Sequence, residues 1–520
     1  MQINSVGDVV RVHAAAEPDK PAMIFNGNVT TYQELDQRSN RIANHLIESG
    51  LATDSRIAYL GRNTDSYYEL FFGAAKSGRV ILTINWRLAA EELAYILRDS
   101  GTVLLFVEKE FAERCFDLAP ECPQLAEIVV LDARLEGHAY YPDWRDQAPA
   151  KDPALMVNPD APFVQMYTSG TTGRPKGAVL RHDCFFHQRR AEEGAGAWAD
   201  WGPNSVNLVA MPVFHIGGSG WGYITFHHGG TNIIHPEPQA ERIGIDIARH
   251  RITKMFLVPT VLQGLVEYVK QHQLDVTSIE DIVYGASPIS EHLLQQSVGL
   301  FGCRFIQQYG MTETTGAVTY LPPEDHRVNG SPRMQSCGIP FPGVQIKICD
   351  ESGNQLPPDC VGEICIKTPA IMTCYWNRPD ATRQALTDGW YHSGDAGYLD
   401  PDGYLFLSDR IKDMIVSGGE NIYPAEIERV LLRHPTVAEV AVIGVPDEKW
   451  GEAAKAVLVP IAGATVDAAE IARFARSYLA GYKIPKSIDV TDALPRNASG
   501  KVLKTVIREP YWKERQRRVN

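Results

Sequence analysis

Two rhythms of apolar and polar positions run through the first four hundred residues. Thr31-x-x-Glu34 is a capping box, and Leu35, Ile42 and Leu46 follow at helical spacing until Gly50, which predicts a helix with one buried face. Short apolar runs such as Ile57-Ala58-Tyr59-Leu60, Val103-Leu104-Leu105-Phe106-Val107 and Ile128-Val129-Val130-Leu131 read instead as buried strands. Strands alternating with helices predict an α/β fold: a large N-terminal domain of parallel sheets with helices on both faces. Near residue 340 the texture changes. Residues 344–349, 362–367 and 403–407 are short strands between Gly/Pro/Asp turns, which predicts a small barrel-like β subdomain at about 335–408. After Asp409-Arg410 a new unit begins, with a hairpin through Gly418-Gly419, a helix opening at Pro424, then strands and another helix. The expected division is 1–408 for the N-terminal domain and 414–520 for a small α+β domain, joined through 409–413.

At 520 residues the chain is too long for one ordinary domain. With 44% hydrophobic and 22% charged residues it has the composition of a soluble globular enzyme. A formal charge of −13 argues against a general nucleic-acid binder, which needs a basic face. The charge is uneven: from Arg410 onward 18 Lys and Arg stand against 14 Asp and Glu. Such a basic end could receive an anionic ligand, and ordinary surface variation explains it equally well. Nine cysteines without a C-x-x-C pair suit reduced thiols rather than disulfides or a zinc site. There is no signal-peptide pattern and no apolar stretch long enough for a membrane span, so a cytoplasmic location is expected.

The densest local chemistry is Tyr167-Thr168-Ser169-Gly170-Thr171-Thr172-Gly173-Arg174-Pro175-Lys176-Gly177. Its glycines permit tight backbone and close approach of N–H groups to an anion, its hydroxyls add donors, and Lys176 adds a cation. The segment reads as a polyphosphate cradle. It is not a Walker A loop, because Pro175 stands in place of the second glycine and Gly177 in place of the hydroxyl residue after the lysine.

This segment resembles the phosphate loop of the adenylate-forming superfamily, which includes acyl-CoA synthetases, peptide-synthetase adenylation domains and beetle luciferases. Further motifs of that family follow in order over nearly the whole chain. Gln308-Tyr309-Gly310-Met311-Thr312-Glu313 resembles the adenine-and-metal motif. The likeness implies that Tyr309 stacks on adenine, that Thr312 contacts the α-phosphate and that Glu313 holds Mg²⁺, an ion that prefers carboxylate and phosphate oxygens. Gly285-Ala286-Ser287 is similar to the loop on the other side of the adenine. Tyr391-His392-Ser393-Gly394-Asp395 resembles the ribose motif, with Asp395 accepting from both hydroxyls and no role assigned to His392. Asp409-Arg410-Ile411-Lys412-Asp413 matches the domain junction, where Arg410 would contact ribose or phosphate and Lys412 would be the hinge of a mobile C-terminal domain. Leu494-Pro495-Arg496-Asn497-Ala498-Ser499-Gly500-Lys501 matches the segment of the catalytic lysine, Lys501, whose ammonium would offset charge growing on the α-phosphate.

Met211-Pro212-Val213-Phe214-His215-Ile216-Gly217-Gly218 resembles the segment lining the acid pocket, with His215 holding the carboxylate or gating its channel. The small residues Gly217-Gly218-Ser219-Gly220 leave space for a roomy pocket or a long channel, which Trp221 and Tyr223 could refill. The implied reaction joins a carboxylate and Mg·ATP to an acyl-adenylate and pyrophosphate, then passes the acyl group to a thiol. Gly418 and Gly419 would let a pantetheine arm run against backbone, and Arg87, in Asn85-Trp86-Arg87-Leu88, resembles an arginine that meets coenzyme A phosphate in aryl-CoA ligases. Coenzyme A is thus the expected thiol, and because Tyr375-Trp376-Asn377-Arg378-Pro379 resembles bacterial fatty-acyl and aryl-acyl ligases, a fatty acid is the favoured substrate. An aryl or cyclic acid, transfer to a carrier protein, and a non-catalytic nucleotide- or acyl-binding relative stay open. A homodimer is a common outcome in the family.

Overall fold

The computed structural model describes residues 3–168, 174–287, 289–327, 329–410, 413–417, 420–447, 450–479, 481–496 and 502–512. Two large sheets dominate the N-terminal three hundred and ninety residues. One has nine strands in the spatial order Ile339–Pro340, Gly316–Leu321, Arg304–Met311, Asp281–Gly285, Lys254–Leu257, Val206–Val209, Thr231–Ile234, Pro21–Phe25, Asn28–Thr31. Its interior pairs are parallel and its edge pairs antiparallel. The other has eight, in the order Cys374–Tyr375, Lys176–Arg181, Pro162–Thr168, Val80–Ile84, Arg56–Leu60, Leu104–Val107, Glu127–Val130, Ala139–Tyr140. Every residue of Arg56–Leu60, Val80–Ile84 and Leu104–Val107 is buried, as continuous apolar runs covered on both faces demand.

The predicted capping box is formed. Thr31 accepts from the Glu34 amide, Glu34 accepts from the Thr31 amide at 2.9 Å, and Leu35, Ile42 and Leu46 are buried along the helix Tyr32–Glu48. The late strands are Gln345–Cys349, Gly362–Lys367 and Leu405–Arg410. The last begins two residues later than its sequence pattern suggests and continues through Asp409 and Arg410, because both pair with the strand Trp390–Leu399.

The chain divides into two compact units. The first comprises Met1–Ile289, Leu293–Gln345 and Lys367–Tyr391; the second comprises Ser290–His292, Ile346–Ile366 and His392–Asn520. In the second unit the hairpin Ile415–Ser417/Glu420–Ile422 joins a sheet with Gly451–Pro460 and Val437–Asp447, and the helix Pro424–Leu431 opens on its proline as expected. All nine cysteines are free, and among the described residues no helix is long and apolar enough to cross a membrane.

Several histidines of the first unit are buried and held neutral. Burial pushes His182 and His227 down to about 3 and His228 and His326 down to about 4. The unfolded chain, with histidines near 6.5, therefore binds protons that the folded chain refuses. Stability is fully present above pH ~6.5 and is lost as pH falls from there toward 4, at up to about 1.4 kcal/mol per pH unit for each histidine. Thermal melting from pH 7.5 to 4.5 should show a progressive fall in Tm beginning near pH 6.5; a flat profile would contradict this account.

Candidate active site

The strands Asp281–Gly285 and Arg304–Met311 are parallel neighbours, with Gly285 beside Gln308. Their carboxyl ends therefore deliver Gly285-Ala286-Ser287 and Gln308-Tyr309-Gly310 to one edge, where open α/β sheets bind ligands. The small residues there answer to backbone. A Cβ on Gly285 would lie 2.2 Å from the Gln308 carbonyl oxygen, and one on Gly310 2.1 Å from that of Gly316. Ala286 has φ +64°, a left-handed turn that lifts the chain off the sheet. At Tyr309/Gly310 the pairing with Gly316–Leu321 shifts register, and such a bulge re-aims side chains at the strand end. Tyr309 is buried.

Met311 leads into a single turn, Thr312–Thr314, which places Glu313 with only 6% of its surface exposed. One carboxylate oxygen, Oε1, accepts from the Thr168 hydroxyl at 3.0 Å and from the Tyr375 hydroxyl at 2.8 Å. Thr168 ends the strand Pro162–Thr168 and is paired across the hairpin with Lys176. The Lys176 ammonium stands 5.1 Å from the centre of the Tyr375 ring. Burial, reinforced by Glu313, pushes the Tyr375 phenol well above its ordinary range, so it stays a donor to the carboxylate. The hairpin is anchored from outside: Tyr95 donates to the Pro175 carbonyl at 3.1 Å, and Asp99 accepts from Tyr167 at 2.7 Å and from Arg378 at 2.6 Å. Thr168, Lys176, Tyr309, Thr312 and Glu313 are thus gathered around one edge. The second oxygen of Glu313 faces no protein donor among the described residues, and a buried carboxylate beside two hydroxyls fits a hard divalent cation such as Mg²⁺.

Residues 169–173, Lys412, Gly418, Gly419 and Lys501, all picked out by sequence, lie outside the described residues. Asp395 and Arg410 belong to the second unit, directly opposite each other in antiparallel strands. His392, given no role by sequence, is hydrogen-bonded to Glu363 at 2.8 Å, and Glu363 also accepts from the Gly394 amide at 3.1 Å. That pair holds the turn leading to Asp395.

His215 caps the helix Ile216–His227 at its N-terminal end. Burial, with a smaller push from Arg87, lowers its imidazole to about 4, and its Nε2 is buried without a partner among the described residues. A neutral ring with an unengaged nitrogen is suited to a substrate carboxylate. Asn63 fixes the approach to this helix: its amide donates to the Met211 and His235 carbonyls, both at 3.0 Å, and accepts from the Val213 amide at 2.9 Å. No role for Asn63 or Tyr375 is legible in the sequence, because each acts on residues far away in the chain. The glycines after His215 do not leave open space. A Cβ on Gly218 would lie 2.2 Å from the Pro212 carbonyl oxygen and one on Gly217 3.0 Å from the Phe256 ring, so neighbouring chain occupies the room. Ser219, Trp221 and Tyr223 are buried. Arg87 is exposed, with its guanidinium 4.4 Å from the Trp86 ring centre and 3.5 Å from Glu237.

A strand edge carrying Tyr309 next to a glycine- and hydroxyl-rich hairpin, with a buried carboxylate between them, fits an enzyme that activates carboxylic acids with ATP as adenylates, the class to which comparison with known proteins assigns the chain. The chain belongs to the AMP-binding enzyme family: residues 10–376 match the family itself and residues 426–501 its C-terminal domain. It is 43% identical to a fatty acid–[acyl-carrier-protein] ligase of Streptomyces coeruleorubidus, covering 100% of this chain and 99% of that one. It is 37% identical to a feruloyl-CoA synthase of an Amycolatopsis species, over 96% and 97% of the two chains. Among solved structures, the anthranilate CoA ligase AuaEII in complex with anthranoyl-AMP superposes with a TM-score of 0.90 at 25% identity, covering 98% of each chain. The protein is an ATP-dependent acid ligase working through an adenylate, and its α/β architecture is that of adenylate-forming enzymes.

Proposed function

We propose that this chain converts a carboxylic acid, with a fatty acid favoured over an aryl or cyclic one, to its coenzyme A thioester, releasing AMP and pyrophosphate. The observation that carries the reading is the buried Glu313 carboxylate, held by Thr168 and Tyr375 at the mouth of the phosphate hairpin and four residues after Tyr309. In this reading Ser169, Gly170, Thr171, Thr172, Gly173 and Lys176 cradle the phosphates, and Tyr309 packs on adenine against Gly285-Ala286-Ser287. Asp395 and Arg410 take the ribose, and Thr312 and Lys501 face the α-phosphate. Glu313 with phosphate oxygens would hold Mg²⁺, which supplies charge neutralisation when bound. His215 orients the acid's carboxylate. Rotation about Lys412, between 1–408 and 414–520, would then exchange Lys501 for Gly418-Gly419, and Arg87 would meet the coenzyme A phosphate.

A second reading is favoured by the 43% identity to a ligase that acylates an acyl carrier protein: the acceptor thiol is then a carrier's pantetheine arm. Pyrophosphate release with Mg·ATP across an acid panel, with coenzyme A, with a phosphopantetheinylated carrier protein, or with neither, separates the two. Turnover and a thioester product that need coenzyme A support the first reading. The same dependence on the carrier alone supports the second. No acid-dependent release under any condition overturns both.

A further inference from the structure

On the first unit's nine-stranded sheet, next to the nucleotide edge, the helix Ile216–His227 packs Trp221 and Ile224 against Val283, Ile306 and Tyr320. These three come from the strands that carry Gly285, Tyr309 and Gly316. If His215 meets the substrate's carboxylate, the acyl part lies beside this layer, which is full of aromatic rings. Trp201 stands edge-on to Trp221 with centroids 5.2 Å apart, Phe256 lies 5.8 Å from Trp221, and Trp198 packs on Tyr320 at 5.3 Å. Trp221 is six residues beyond His215, a rise of about 9 Å along the helix. A second oddity lies in the same place. The indole N–H of Trp221, a residue only 7% exposed, is buried with no acceptor among the described residues. Buried donors are almost always paired, and one left unpaired asks for an acceptor from outside the chain.

We propose that Trp221 closes the acyl pocket and donates its indole N–H to a polar acceptor on the acyl part, so that the acid taken is a short one carrying a hydroxyl or keto oxygen toward its far end. The inference rests on the reading of the chain as an acid–thiol ligase with its acid beside His215. A site built to hydrogen-bond a substrate group discriminates against the analogue lacking it, because the donor is then left unsatisfied. Removing the indole should also lengthen the pocket.

The test compares kcat and KM for adenylate formation from hexanoate, 5-oxohexanoate and dodecanoate in the wild-type chain, Trp221→Phe and Trp221→Ala, with Tm measured for each. The wild type should prefer 5-oxohexanoate to hexanoate by about tenfold in kcat/KM, the worth of one neutral hydrogen bond, and should take dodecanoate poorly. Trp221→Phe, which keeps a ring and loses the N–H, should bring the 5-oxohexanoate/hexanoate ratio close to one. Trp221→Ala should raise dodecanoate relative to hexanoate at least tenfold; if that variant fails to fold, the Phe variant decides. A wild type that takes dodecanoate as readily as hexanoate, or a ratio unmoved in Trp221→Phe, overturns the proposal while the ligase reading stands. A wild type that turns over no acid removes the ligase reading itself, and this proposal with it.

Discussion

Glu313→Gln is expected to lower the rate of acid-dependent pyrophosphate release about 10²–10³-fold, the size of effect that removing one preorganised electrostatic group produces in other enzymes. The substitution keeps the shape and an amide oxygen that can still accept from Thr168 and Tyr375, so Tm should move little. What it removes is charge, in a site with 6% exposure where charge acts at full strength. The defect should be eased by raising Mg²⁺, because the weakened group is the one read as its ligand. Tyr375→Phe leaves that charge in place and deletes one hydrogen bond, so its effect should be nearer tenfold. A Glu313→Gln variant within threefold of wild type would show that the carboxylate is a structural brace for the hairpin and not a participant.

Lys501→Ala should separate the two half-reactions. Adenylate formation is expected to fall about 10²–10³-fold, because an ammonium that offsets charge growing on the α-phosphate is lost. Thioester formation from acyl-adenylate supplied in solution should stay within a few-fold of wild type, since in the proposed reading the lysine has no part in the thiol's attack. Single-turnover measurements of both steps on the same preparation make the comparison. Equal losses in both would place Lys501 in general binding or folding and would contradict the two-state use of the C-terminal domain. This role comes from the residues around Lys501 in the sequence, and its strength lies in the split it predicts.

The parts of the site that the sequence announced are those carried on continuous stretches of chain. The loop from Tyr167 to Gly177 and the stretch from Gln308 to Glu313 each hold their glycines, hydroxyls and charges within a dozen residues, because a loop that wraps a phosphate or turns at a strand end does so locally. The capping box at Thr31 and the buried strands around Ile57, Leu105 and Val129 were readable for the same reason: a period of two or 3.6 residues is written in neighbours. The roles of Tyr375 and Asn63 are not written in their neighbours. Tyr375 reaches Glu313 from 62 residues away, and Asn63 holds Met211 from 148. Each partnership exists only once the sheets have fixed which strand ends lie together.

The glycines after His215 mark the boundary between the two kinds of information. By sequence alone, small side chains mean space, and a roomy pocket follows. In the fold Pro212 and Phe256 stand against Gly218 and Gly217, and Trp198, Trp201, Trp221 and Tyr320 converge on the layer beside the nucleotide edge. The sequence by itself determined the class of reaction and the alternation of strands and helices, since these depend on residue types at short, constant spacing. Only the tertiary structure decided what surrounds Glu313, which nitrogen of His215 is left without a partner among the described residues, and what fills the room beside Gly217 and Gly218. A cavity is bounded by side chains from segments that meet only after folding, and close packing leaves its shape to whichever of them arrive.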